Sequence, residues 1–167
     1  MFIELYGLLG TSLNQTDLLD ILKNEALLVS IYDIITATSY IRRDVAEVGD
    51  KYGDIYIEGF ILRIKEVKEN NCVYSGSVDP VEYRKALDLL YTQSQTVESV
   101  RKPFFRIYII ISLYTTFILD EPIHPVGSPF PGGLEVEFDG EFYTCPVKDN
   151  NNDNPLAVCP FCIAKQQ

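Results

Sequence analysis

The sixteen-residue run Phe104–Leu119, FFRIYIIISLYTTFIL, constrains this chain more than any other stretch. Its β-branched and aromatic residues suit a strand, but strands usually end after about five or six residues and no turn residue divides this one. Its length suits a helix, and a helix apolar on nearly every side has to be buried on most of its surface. We therefore expect a helix that starts at Pro103 and forms the centre of a bundle. Arg106, Ser112 and Thr115–Thr116 interrupt the run, and it is short for a bilayer span, so no membrane association is expected.

Amphipathic segments upstream would wrap this centre. Thr16 is the expected N-cap of a helix with Leu18, Leu19, Leu22 and Ala26 on one side and Asp17 and Asp20 near its positive end. Ser30-Ile-Tyr-Asp33 has the form of a capping box, and Ile31, Ile34, Ile35, Ile41, Val45 and Val48 return to one helical face until Gly49 and Asp50 break it. A third helix from about Asp50 to Val67 carries Tyr52, Tyr56, Phe60, Ile64 and Val67, with Gly59 permitting close helix approach at some cost in propensity. After the polar loop Lys68–Asp79, Asp79-Pro80-Val-Glu82 opens a helix with Tyr83, Leu87, Leu90 and Val97 on one face, Glu82 reaching back. Residues 1–15, containing Gly7 and Gly10, read as a variable lead-in without a stable helix.

The expected fold class is mainly α. A bundle of about five helices spans 16–119, and residues 120–167 form a small C-terminal β-hairpin and loop module packed on it as one folding unit. In that module LEVEF and EFYTC alternate around Asp139-Gly140, a two-residue hairpin signal. With 167 residues and 47% hydrophobic content, the chain can bury its own core without staples.

The segment Asp120–Cys162 concentrates the chemistry. It holds the sole histidine, His124, and three of the four cysteines, amid Pro, Gly and Asn. Cys159-Pro-Phe-Cys162 puts two thiols one turn apart, and thirteen residues separate the cysteine of Cys145-Pro from Cys159, a separation like that between the halves of many zinc sites. The expected metal ligands are Cys145, Cys159, Cys162 and His124, with Cys72 as the alternative fourth ligand. Asp120 and Glu121 would accept the second imidazole N–H. Mixed Cys and His ligation favours zinc, whereas recruitment of Cys72 would favour an iron–sulfur cluster. The bland alternative is that the cysteines are small buried apolar residues.

Other charges carry weaker signals. Arg42 and Arg43, with Arg63 and Lys65, could offer an anion patch on adjacent helices, although a solvated helix face is the commoner outcome. Arg106 in the apolar run needs a carboxylate or a ligand, with Glu58, Asp120 and Glu121 as candidate partners. A net charge of −10 and a pI near 4.5 argue against nucleic-acid binding. No phosphate loop, dinucleotide fingerprint or Ser-His-Asp order is present, and Gly132-Gly133 reads as a turn. Four cysteines are too few for a secreted scaffold, and the apolar start lacks a basic region and carries Glu4, so a cytoplasmic location is expected.

At HPVGSPFPGG, CPVKDN and CPFCIAKQ the chain resembles an uncharacterised protein family of archaea, found chiefly in methanogens and of unknown function. The likeness extends upstream through DLLDILKNEA, KYGDIYIEGF, RIKEV and YTTFILDEPIHP, so it covers most of the chain after about residue 16, and Cys72 lies outside the signature. The resemblance implies an anaerobic cytoplasm in which zinc and iron–sulfur chemistry are both open. It carries no activity or catalytic residue. Two functions are therefore expected from different classes. One is a non-enzymatic zinc-pinned accessory or interaction protein, whose unknown protein partner would be, for example, a metalloenzyme of the host. The other is a metalloenzyme or iron–sulfur redox protein whose Cys145/Cys159/Cys162 site keeps an open coordination position, with His124 as acid or base.

Overall fold

The expected central helix forms, and it organises the fold. The computed structural model describes residues 1–10, 13–44, 50–151, 154 and 157–167. Helix α6, Lys102–Tyr114, has Pro103 in its first turn and continues as a π-helical turn over Thr115–Leu119. Ile107, Ile109, Ile110, Ile111, Leu113 and Tyr114 are all buried, on every side of the helix. Ser112 and Thr115 are buried too, and their hydroxyls donate back to Tyr108 and Ile111 carbonyls at 2.6 and 3.0 Å, which satisfies them without outside partners. With the preceding turn the helix runs Ser99–Leu119, 21 residues, long and apolar enough to cross a bilayer by length and composition; 56% of its most apolar window is buried inside the fold.

Helices α2 (Gln15–Leu27), α3 (Ile31–Asp44), α4 (Asp50–Glu69) and α5 (Pro80–Thr96) pack around α6. Asp79 caps α5 by accepting from the backbone of Val81 and Glu82 at 2.8 and 3.3 Å, and Glu82 turns outward to pair with Lys85 rather than reaching back. The Ser30–Asp33 capping box closes as expected, with Asp33 accepting from the Ser30 N–H at 2.8 Å and Ser30 Oγ from the Asp33 N–H at 3.2 Å. Leu18, Leu19, Leu22, Ala26, Ile64, Val67, Tyr83, Leu87 and Leu90 enter the core from the faces the periodicity indicated.

Several local expectations are corrected. The lead-in contains a helix, α1, Phe2–Gly7, because Leu5 is fully buried, Phe2 meets Tyr91 edge-on at 5.5 Å and Tyr6 donates to Asp88 at 2.7 Å. Tertiary contacts sustain six residues that would not be helical alone. Asn14, not Thr16, caps α2, accepting from the Asp17 N–H at 2.9 Å, while Thr16 Oγ1 donates to the Tyr74 carbonyl at 2.8 Å and so ties down the loop before α5. On α3 the buried residues are Ala37 and Ile41, whereas Ile31 and Ile35 are more than half exposed. Val45, Val48 and Gly49, and the side chain of Tyr52, lie outside the described residues. A Cβ on Gly59 would meet Pro125 Cγ at 3.8 Å, so this glycine faces the proline-rich arm and not another helix.

The C-terminal segment holds two small sheets. Strand β1 (Pro129–Phe130) pairs antiparallel with β2 (Leu134–Glu135); β3 (Glu137–Phe138) pairs with β4 (Tyr143–Cys145), which pairs in parallel with β5 (Lys165–Gln166). The hairpin at Asp139-Gly140 is a four-residue loop, because the register joins Phe138 to Tyr143. Asp139 Oδ1 accepts from the backbone of Glu141 and Phe142 at 2.8 and 2.7 Å, an Asx-type closure, and Gly140 supplies the φ of +98° that the loop needs. Val158 and Phe161 reach into the main core, while Val136, Cys145 and Ala164 form a second, smaller cluster.

Candidate functional site

Three of the four cysteines come from two elements brought together by the small sheet. Cys145 ends β4 and is buried, and its carbonyl accepts from Lys148 and Gln167 N–H groups at 3.5 and 3.2 Å. Cys159 and Cys162 bracket a 3-10 turn, Cys159–Phe161, closed by the Cys162 N–H on the Cys159 carbonyl at 3.2 Å. Phe161 points from that turn into the main core against Phe117, so the turn is held at its middle. All four cysteines are free thiols.

The thiols feel one another. Burial pushes the Cys159 thiol up, and the charges that Cys162 and Cys145 would carry push it further; Lys148 acts in the opposite sense. Cys145 is raised mainly by burial, opposed by a Val147 backbone hydrogen bond, with a further rise from Cys162. Lys148 is fixed beside them by donating to the Cys162 carbonyl. Among the described residues, no three or more His, Cys, Asp or Glu side chains are already arranged to hold a metal ion. The thiols are thus gathered and mutually coupled without a preformed ligand tetrahedron.

His124 lies elsewhere. Its ring packs against Tyr56 at 5.0 Å and Phe130 at 5.7 Å between centroids, and burial alone lowers its pKa from 6.5 to about 4. It lines a cavity of about 250 Å³ with Tyr56, Phe60 and Arg63 of α4 and Tyr108 and Ile111 of α6. Phe130 stands between the two places, touching His124 on one side and the Cys145 cluster on the other. Tyr108 also borders both: it lines the cavity, takes a backbone hydrogen bond from Val158, and is raised by burial and then by the Cys159 charge.

The remaining expected site residues are dispersed. Cys72 is exposed in the loop after α4, where its N–H donates to Asn70 Oδ1 at 2.8 Å. Glu121 binds Arg63 at 2.7 Å, and Asp120 is the exposed left-handed end of the long helix, φ 55°. Arg106 finds Glu25, which none of the sequence-level pairings included; Glu25 is buried at 7% exposure, and the Met1 amino group lies 3.2 Å from its carboxylate. Arg42 and Arg43 on α3 and Arg63 and Lys65 on α4 do not merge into an anion patch. Arg42 is exposed beside Asp54 at 3.6 Å, Arg43 lies over the Tyr40 ring at 4.8 Å, Arg63 is held by Glu66 and Glu121, and Lys65 sits 4.0 Å from Glu69. The cavity itself was missed in the sequence. Its only signal there was Tyr56, Gly59, Phe60 and Arg63 at helical spacing, which reads equally well as core.

Comparison with known proteins agrees over nearly the whole chain. A family model described as an uncharacterized protein conserved in archaea, DUF2115, matches residues 14–167. A UPF0305 protein of Methanothermobacter thermautotrophicus is 37% identical over 159 residues, covering 92% of this chain and 97% of its own. UPF0305 proteins of Methanococcus maripaludis and Methanocaldococcus jannaschii are 30% and 29% identical, covering 92% and 89% of this chain and 97% and 94% of theirs. No solved structure matches. With both sheets and the thiol cluster inside the matched span, the chain belongs to the DUF2115 family of archaeal proteins.

Proposed function

We propose that this chain is a cytoplasmic zinc-binding accessory protein, with Cys145, Cys159 and Cys162 as its metal ligands. The observation that carries the reading is the convergence of three free thiols, Cys145, Cys159 and Cys162, beside Lys148, in a segment whose own cluster has Val136, Cys145 and Ala164 as its buried members among the described residues. A metal there would join β4 to the Cys159–Cys162 turn. Since Val158 and Phe161 anchor that turn in the main core, it would also pin the three-stranded sheet to the bundle. His124 and Cys72 stand apart from the trio, so a fourth ligand would come from solvent or from a partner. That same separation favours, as the second reading, an iron–sulfur or catalytic site with one open position. The accessory role draws support from Leu27, Leu28, Ile31, Tyr32 and Ile35, more than half exposed around the α2–α3 corner, the kind of apolar surface that marks a protein interface.

Anaerobic purification followed by metal analysis and absorption spectroscopy tests this. We expect about one zinc per chain in the parent protein and its loss in both Cys159→Ser and Cys162→Ser, with the helical circular dichroism retained and the C-terminal segment more readily cleaved by protease. Brown protein carrying iron and sulfide would replace zinc with the cluster. Protein free of any metal, or serine variants with unchanged metal content, would sink both readings.

A further inference from the structure

We propose that the His124 cavity is a binding site for a small, uncharged, mostly apolar molecule of one or two rings that hydrogen-bonds the imidazole. The proposal does not depend on a metal at the thiols.

Size sets the first limit. At about 250 Å³ the cavity exceeds the roughly 150 Å³ space that accepts benzene and falls below the ~300 Å³ at which drug-sized sites begin. Its walls are the rings of Tyr56, Phe60 and Tyr108 and the side chain of Ile111, and its lining includes the exposed Ile55 and Leu62, so an apolar guest meets apolar surface as it enters.

Charge sets the second. The cation in the lining, Arg63, is already bound to Glu66 at 2.8 Å and to Glu121 at 2.7 Å. An anionic ligand would have to compete with two carboxylates for that guanidinium. His124 offers no positive charge either, because burial keeps it neutral at physiological pH. A carboxylate or phosphate is therefore disfavoured.

The imidazole sets the third. Desolvation is the sole cause of its displaced pKa, and no hydrogen bond to its ring occurs among the described residues. Neutral imidazole carries one N–H donor and one acceptor nitrogen, and a half-buried ring held between Tyr56 and Phe130 on the cavity wall can offer them to a hydroxyl or amide of a guest. This is a pocket with a few polar groups on an apolar wall, the usual build of a small-molecule site.

The test uses 2-naphthol as the neutral probe and 2-naphthoate as its anionic counterpart, titrated into the full chain. The chain has no tryptophan, so naphthalene fluorescence excited beyond tyrosine absorption is read without background. We expect saturable one-to-one binding of 2-naphthol and at least tenfold weaker binding of 2-naphthoate. His124→Phe keeps a ring and removes both polar nitrogens, and should weaken 2-naphthol at least tenfold. Gly59→Leu, whose branch would extend into the cavity beside Pro125, should abolish binding; intermolecular NOEs from the probe to the Tyr56 and Tyr108 rings of the parent protein locate the site even if that variant fails to fold. Absent saturation, unchanged affinity in His124→Phe, equal affinity for the two probes, or NOEs to other residues would each overturn the proposal.

Discussion

The only histidine in the chain makes its environment measurable in one experiment. His124 is neutral in the folded protein down to about pH 4, whereas in the unfolded chain it takes up a proton near 6.5. Between those values the unfolded state binds the extra proton, so stability rises with pH across this window and falls as acid is added. The slope reaches at most about 1.4 kcal/mol per pH unit, and the whole window therefore removes about 3 kcal/mol. For a chain of this length that is roughly 6–12 °C in Tm, since about 2–4 °C accompanies each kcal/mol. The titratable groups that line the cavity beside the ring are Tyr56, Arg63, Glu66 and Tyr108, and Arg63 is matched by carboxylates, which leaves burial in control. Glu25, Asp33 and Asp139 all have lowered pKa values, so their own losses fall below the ordinary carboxylate range and do not overlap the upper part of the window. The assay is urea or thermal unfolding from pH 8 to 4.5 on the parent protein and on His124→Leu, in chelator, with the single imidazole followed by NMR. The parent should lose stability steadily below about pH 6.5 and the leucine variant should not. An imidazole midpoint at or above 6.5, or an equal slope in both proteins, would refute the reasoning; a slope that appears only on removing metal would place His124 among the ligands after all.

Three further outcomes follow from other parts of the fold. Loss of zinc in Cys159→Ser and Cys162→Ser, with the helices intact, tests the thiol site by metal analysis and proteolysis. Burial would raise the Glu25 pKa, but hydrogen bonds from Arg106 and the Met1 amino group more than offset it, so the pair stabilises the fold above the carboxylate range and its contribution fades as pH falls. Arg106→Leu should cost roughly 2–3 kcal/mol near pH 7, less than the 3–5 typical of a fully buried pair, and a double-mutant cycle with Glu25→Gln should show coupling; strict additivity would mean that the two do not act together. Asp79→Ala removes the acceptor of two backbone N–H groups at the start of α5 and should lower stability by about 1 kcal/mol in equilibrium unfolding, with Asp79→Asn recovering most of it.

How far the site could be seen in advance depended on the range of the forces involved. Thiols one turn apart, as in Cys159-Pro-Phe-Cys162, are local, and Cys145 joins them through β4 and β5, whose partners are adjacent in space though twenty-one residues apart in sequence. His124 could not be assigned the same way. Its proximity to the cysteines along the chain suggested ligation, but Pro125 meets α4 near Gly59 and the ring turns into Tyr56 and Phe130. The pairing of Arg106 with Glu25, 81 residues apart, had no sequence pattern to announce it.

Sequence by itself determined the helical class, the burial of Phe104–Leu119, the caps at Ser30 and Asp79, and the concentration of thiols near the C-terminus. These are matters of periodicity, turn chemistry and composition, which act over a few residues. Tertiary structure alone decided that residues 2–7 are helical, that Ile31 and Ile35 face outward, and that His124 belongs to a cavity between α4 and α6. Each of those depends on which surfaces meet when the helices pack, and a helix face carries no label saying which neighbour will cover it.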